Sequence, residues 1–119
     1  MFVVFQCRHC DAIVGDATDW LKAVKDIDSI ALGNITEGSV YVEKEPVRVT
    51  SQFRIDRGAE YLPLHCSKCD AVLGLYYLST GRFDDDLRNS YLLHISELKS
   101  YQIPVLRMPS VDPGSPQKA

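Results

Sequence analysis

No apolar run in the 119-residue chain approaches the length of a membrane-spanning helix, and no membrane partner is expected. Basic charge is also scarce: 13 Lys and Arg stand against 16 Asp and Glu, for a net charge of −3. Without a basic run the chain is a poor candidate for gripping a phosphate backbone, so direct nucleic-acid binding is not expected. The segment from Met1 to Gln6 is too short, and lacks the basic lead, to be a secretory signal. There is a single tryptophan, Trp20. Above all, no cysteine lies outside two Cys-x-x-Cys pairs, which leaves no spare thiol for nucleophilic chemistry.

What the chain does have, it has twice. Phe5-Gln6-Cys7-Arg8-His9-Cys10-Asp11-Ala12-Ile13-Val14-Gly15 returns as Leu64-His65-Cys66-Ser67-Lys68-Cys69-Asp70-Ala71-Val72-Leu73-Gly74. Each copy is an apolar residue, a polar one, Cys-x-x-Cys-Asp-Ala, two aliphatics and a glycine. Cys-x-x-Cys spacing suits a tight turn whose two sulfurs point at one ion, and two such turns supply the four thiolates of a closed tetrahedral zinc site. Two disulfides would require an oxidising compartment, against the absence of a leader. A redox Cys-x-x-Cys accounts for one copy but not for a matched pair. The expectation is therefore one structural Zn2+ per chain on Cys7, Cys10, Cys66 and Cys69, in a cytosolic or nuclear protein. The long stretch between Cys10 and Cys66 means that the tertiary fold, rather than one local finger, must bring the pairs together.

With 45% hydrophobic and 24% charged residues, the chain reads as one globular domain, small enough to gain from a metal staple. Strands are expected over Met1 to Phe5, Asp26 to Gly33, Gly38 to Lys44, Val47 to Ile55, Tyr61 to Leu64, Val72 to Leu78 and Tyr91 to Ile95. Pro63 fits an edge strand. Thr18 or Asp19 is read as the cap of a short turn, and Ser96 as the cap of a short C-terminal helix through Tyr101. Arg48, Arg54 and Arg57 read as a solvated basic face, and Asp84 to Asp86 as a solvated acidic loop. Residues 1–103 form the domain. Residues 104–119, rich in Pro, Ser and Gly, read as a tail or linker. The fold class is mainly β: two antiparallel sheets clipped by one zinc, built from two look-alike halves that each give one hairpin.

The cysteine pairs, with Leu73 and Gly74 after the second, resemble the Yippee-like (β-tent-like) domain. Gly15-Asp16 followed by Trp20, Tyr77 in the strand after the second pair, and Glu97, Ser100 and Tyr101 near the end resemble the Mis-eighteen kinetochore proteins within it. The resemblance covers Phe5 through Tyr101. It implies a zinc-clipped pair of antiparallel sheets in a nuclear protein of the centromere or kinetochore. It further implies self-association as a homodimer or higher oligomer, with Val4 and Tyr101 at the interface. Centromere assembly proteins and a histone chaperone would be the partners, and deposition of the centromere-specific histone the outcome. In one respect the chain departs from the wider family: Leu75 follows Gly74 where other members carry a tryptophan of an aromatic cage. A three-tryptophan cage is impossible here, and any pocket would draw on Trp20, Tyr76 or Tyr77.

Three functions compete. The first is a non-enzymatic, self-associating scaffold. The second is an enzyme, but the related methionine sulfoxide reductase architecture needs an additional nucleophilic cysteine that this chain does not have. His9, His65 and His94 have no Ser or Cys partner at a recognisable spacing. The third is a histone-tail or small-ligand reader using a pocket between the sheets. The scaffold is the preferred reading.

Overall fold

In the computed structural model, which describes residues 2–81 and 83–103, each Cys-x-x-Cys forms the turn of a β-hairpin. The strands are β1 (Phe2–Cys7), β2 (Ile13–Asp16), β3 (Trp20–Val24), β4 (Ser29–Leu32) and β5 (Val40–Val42). They continue with β6 (Val47–Arg48), β7 (Glu60–Cys66), β8 (Val72–Ser79), β9 (Tyr91–His94) and β10 (Leu98–Ile103). A three-stranded sheet has the order β10-β1-β2; a larger one runs β3-β4-β9-β8-β7-β5, with β6 also pairing β7. All pairings are antiparallel. The proposed tail, 104–119, lies outside the described residues.

Side-chain alternation gives the large sheet two apolar faces. One carries Ile30, Leu32, Leu64, Leu73 and Leu93, and it packs on Phe5, Val14 and Leu98 of the small sheet with Cys7 and Cys66 among them. The other carries Ala31, Leu75, Tyr77 and Leu92 and is covered by Val24, Val49, Ala59 and Leu87 from the connecting segments. The domain is thus two sheets plus a layer of loops, with the cysteines at the sheet-to-sheet junction.

Several local expectations give way to tertiary structure. Ile95–Glu97 is a single 3-10 turn, and Leu98–Ile103 is a strand rather than helix. Leu98 faces the core and Tyr101 faces out, so the segment alternates; pairing with β1 supplies the hydrogen bonds that a Ser96 cap would have begun in a helix. The alternating stretch after Val47 leaves the sheet after two residues, with Phe53 91% exposed and Asp56 fully buried, the reverse of its apolar pattern. The turn before β3 is capped by Asp16, which accepts the Thr18 N–H at 2.8 Å; Thr18 and Asp19 lie inside the turn. Pro63 sits in an interior strand. Its carbonyl accepts the Glu43 N–H at 3.0 Å, so its missing N–H points the same way, into the gap between β5 and β6.

Candidate metal centre and flanking surfaces

The two cysteine turns are built alike, bond for bond. Asp11 and Asp70 both take the left-handed conformation, at φ 67° and 68°, which a short polar side chain tolerates. The Cys7 N–H donates to Ala12 O and the Cys66 N–H to Ala71 O, both at 2.8 Å. Asp11 N–H returns to Cys7 O at 2.9 Å, and Asp70 N–H to Cys66 O at 2.8 Å. A register shift interrupts each hairpin just before its first cysteine, at Phe5/Gln6 and at Leu64/His65. The polar residue before that cysteine also serves alike. Gln6 Nε2 donates to Asp11 O at 2.8 Å, and His65 Nδ1 lies 3.1 Å from Asp70 O.

What fastens each turn to the rest differs. Arg8 binds the turn before β10 and the strand's first residue, through Nε to Ser96 O at 2.9 Å and Nη2 to Leu98 O at 2.8 Å, and His9 meets Glu97 at 2.7 Å. That bond holds the Glu97 carboxyl below its ordinary range. The second turn is tied to β5 and the segment after it. Tyr41 bonds Asp70 and stacks on His65 at 5.0 Å, while His65 bonds Glu43.

The four sulfurs lie within 4.8 Å of one another, with Cys7 to Cys69 at 3.6 Å and Cys10 to Cys66 at 3.5 Å. A tetrahedron of sulfurs at about 2.3 Å from zinc has edges of roughly 3.8 Å, so the cluster fits that ion. The cross-hairpin spacings are far beyond the ~2.05 Å of a disulfide. Burial pushes the Cys7 thiol up to about 12. Burial also opposes ionisation of Cys66. The Cys69 and Lys68 N–H groups, with the sulfurs of Cys10 and Cys69, outweigh it and bring that thiol down to about 7. A bound cation would displace the protons that the sulfurs carry.

The other candidate residues fall in three different places. Val4 and Tyr101 are direct cross-strand partners on the face of the small sheet opposite Phe5 and Cys7; Val4 is 8% exposed and Tyr101 60%. Trp20 stacks on Phe5 at 6.3 Å and lines a small apolar groove with Ile30, Ile95 and Leu98. Tyr76 and Tyr77, being consecutive in β8, point to opposite faces: Tyr76 packs on Tyr91, and Tyr77 is fully buried in the loop-covered layer. The structure does not gather Trp20, Tyr76 and Tyr77 into one pocket. A larger recess of about 560 Å³ lies on the loop-covered side of the large sheet, lined by Asp26, Glu43, Arg54, Tyr61, Pro63 and His94 among others. Its residues come from separate segments with no shared spacing, so no sequence motif announces it.

By class, then, this is a mainly-β domain whose two sheets meet at a zinc-compatible set of four cysteines. A family described as Yippee zinc-binding/DNA-binding/Mis18, centromere assembly, matches residues 3–108. The kinetochore protein mis18 of Schizosaccharomyces pombe is 35% identical over 100 residues, covering 84% of this chain and 49% of that protein. Mis18-alpha of Rattus norvegicus is 31% identical over 101 residues, 85% of this chain and 44% of its own length. The crystal structure of the Mis18 "Yippee-like" domain superposes with a TM-score of 0.78 at 35% identity, covering 87% of this chain and 99% of that one. The chain belongs to the Yippee-Mis18 family, and it spans about half the length of the curated relatives it matches.

Proposed function

We propose that this chain is a non-enzymatic, self-associating scaffold domain that acts in centromere licensing. One structural zinc on Cys7, Cys10, Cys66 and Cys69 holds its two sheets together, and its surfaces help to recruit the proteins, a histone chaperone among them, that deposit the centromere-specific histone. The observation that carries this reading is the position of the four-sulfur cluster. It takes up every thiol in the chain, and four sulfurs close a tetrahedral ion against water, so the metal's contribution is to folding. The matched relatives carry kinetochore and centromere-assembly descriptions, which supports a nuclear, chromosomal site of action. Residues 1–103 are then the domain and 104–119 a linker, with the family match running slightly past that boundary.

Self-association is assigned to the outer face of the small sheet, where Tyr101 is exposed opposite Val4. Tyr101→Asp places a charge in that interface and should yield monomers in light scattering at micromolar concentration. A persistent dimer would contradict the choice of face. Val4→Glu tests the same contact less cleanly, because Val4 is already buried within one chain. Direct DNA contact is not part of this reading: Arg48 and Arg54 are engaged by Glu60 and Asp56.

A second reading, a histone-tail or small-ligand reader, would use the recess on the loop-covered side, where Asp26, Glu43 and Arg54 surround Tyr61 and His94, in place of the pocket expected between the sheets. Calorimetric titration with histone-tail peptides tests it, and heat lost in Tyr61→Ala would support it. Trp20 fluorescence is unsuited to that titration, since Trp20 lines a different groove.

A further inference from the structure

The chain passes from the large sheet to the small one between β9 and β10, and the first cysteine turn grips that crossing. Arg8 takes three consecutive carbonyls there. Its Nε donates to Ser96 O at 2.9 Å, its backbone N–H to Glu97 O at 3.0 Å, and its Nη2 to Leu98 O at 2.8 Å. His9 adds its bond to the Glu97 carboxylate, and Asp11 takes the Lys99 ammonium. Each residue from Ser96 to Lys99 is therefore held by a residue lying between Cys7 and Ala12. The matching position in the second turn is Ser67, whose N–H bonds one carbonyl, Ser39 O at 2.9 Å. Its short side chain cannot fork onto two more, so this clamp belongs to the first turn.

β10 has little else to keep it in place. It is an edge of the small sheet and pairs with β1 alone. From Leu98 to Gln102 only Leu98 is buried, while Lys99, Ser100, Tyr101 and Gln102 are exposed. A strand with one buried side chain has low local stability and opens ahead of the core. The clamp supplies what burial does not, because hydrogen bonds from a guanidinium are stronger than neutral ones. Those bonds need Arg8 held at a fixed angle. Arg8 stands one residue after Cys7 and two before Cys10, so a turn whose two sulfurs converge on one ion is fixed on both sides of it.

We infer that Arg8 is a positioning residue that makes the order of the C-terminal strand depend on occupancy of the four-cysteine centre. The inference rests on the zinc reading above. With the ion bound, the turn holds Arg8 against Ser96, Glu97 and Leu98, and β10 stays along β1. When the ion leaves, the clamp opens and β10 parts from the sheet edge before β8 and β9 come apart. The face that carries Tyr101 then exists only in the metal-loaded chain, and any contact made through it is conditional on the metal.

Amide hydrogen exchange read by mass spectrometry on the 119-residue chain tests this, with zinc content measured on the same samples. Wild type, Arg8→Ala and Arg8→Lys are compared as purified and during stepwise titration with EDTA. In wild type, EDTA should release protection over Leu98–Ile103 first, while Val72–Ser79 and Tyr91–His94 still hold theirs. Arg8→Ala should keep its zinc yet exchange over Leu98–Ile103 at least about tenfold faster. Coupling is reciprocal, so the same variant should also surrender zinc to less EDTA than wild type does. Arg8→Lys keeps the charge but not the fork and should behave like Arg8→Ala, which separates positioning from loss of charge. Exchange of β10 in Arg8→Ala equal to that in wild type, or loss of protection in all strands together under EDTA, would overturn the inference. A folded wild type that holds no zinc would instead fail the zinc reading, and the coupling with it.

Discussion

At the scale of single residues, the two repeats share a glycine but not its surroundings. A Cβ at Gly74 would lie 1.8 Å from Leu92 O, a backbone atom of the neighbouring strand, so β8 and β9 would have to part. At Gly15 the nearest atom is Leu32 Cδ1 at 2.8 Å, the end of a side chain that can rotate away. Gly74→Ala should therefore cost about 3 kcal/mol or more and Gly15→Ala about 1 kcal/mol, read from denaturant midpoints. Equal costs would mean that the sheet yields more easily than its geometry implies. His94 gives a pH-dependent counterpart. Ser29 Oγ donates to Ile27 O at 2.9 Å, so its contact with His94 Nδ1 at 2.9 Å requires the ring N–H to donate. Burial, with Arg54 adding to it against Glu97, lowers the His94 pKa below 6.5. The unfolded chain then takes up the proton first as pH falls. The stability from neutral His94 is complete above about pH 6.5 and is lost below it, toward the lower folded value. Thermal melting of wild type should fall more steeply than that of His94→Gln from pH 7 to pH 5; parallel curves would refute the assignment.

At the scale of elements, the Phe53 loop depends on Asp56. Burial first, and then the bond to Asp56, keep the Tyr77 hydroxyl protonated well beyond the ordinary tyrosine range. Asp56→Ala leaves that hydroxyl and the Arg54 fork without their acceptor. It should cost roughly 2–3 kcal/mol and speed tryptic cleavage after Arg54 or Arg57. Unchanged cleavage would show that the loop is held by other bonds. This is also where the sequence misleads. Val47, Val49, Ser51, Phe53 and Ile55 alternate as a strand should, but burying Asp56 under Tyr77 turns the chain out of the sheet. β3 is hard to read for a related reason: a register shift between Trp20 and Lys22 breaks its alternation. β10 follows a Ser that resembles a helix cap, and only its pairing with β1 settles its form. The hairpins around the cysteines were legible because their turns are fixed locally, by Cys-x-x-Cys spacing and by an Asp that accepts positive φ. The recess around Tyr61 was not, since it exists only once distant segments are assembled.

At the scale of the whole molecule, the chain is two sheets with an apolar seam, and the four sulfurs sit within that seam. Cys7 and Cys10 belong to the hairpin of the small sheet, and Cys66 and Cys69 to that of the large one, so an ion shared by the four would join the sheets directly. Replacing Cys7 by Ser should lower the melting temperature sharply, because the binding energy of a structural zinc is folding energy. Unchanged melting would mean that the apolar seam suffices. X-ray absorption at the zinc edge of the purified protein reads the centre itself. The account predicts one zinc per chain with four sulfur neighbours at about 2.3 Å. Absence of zinc from the folded protein, or a shell containing oxygen or nitrogen in place of one of the sulfurs, would contradict it.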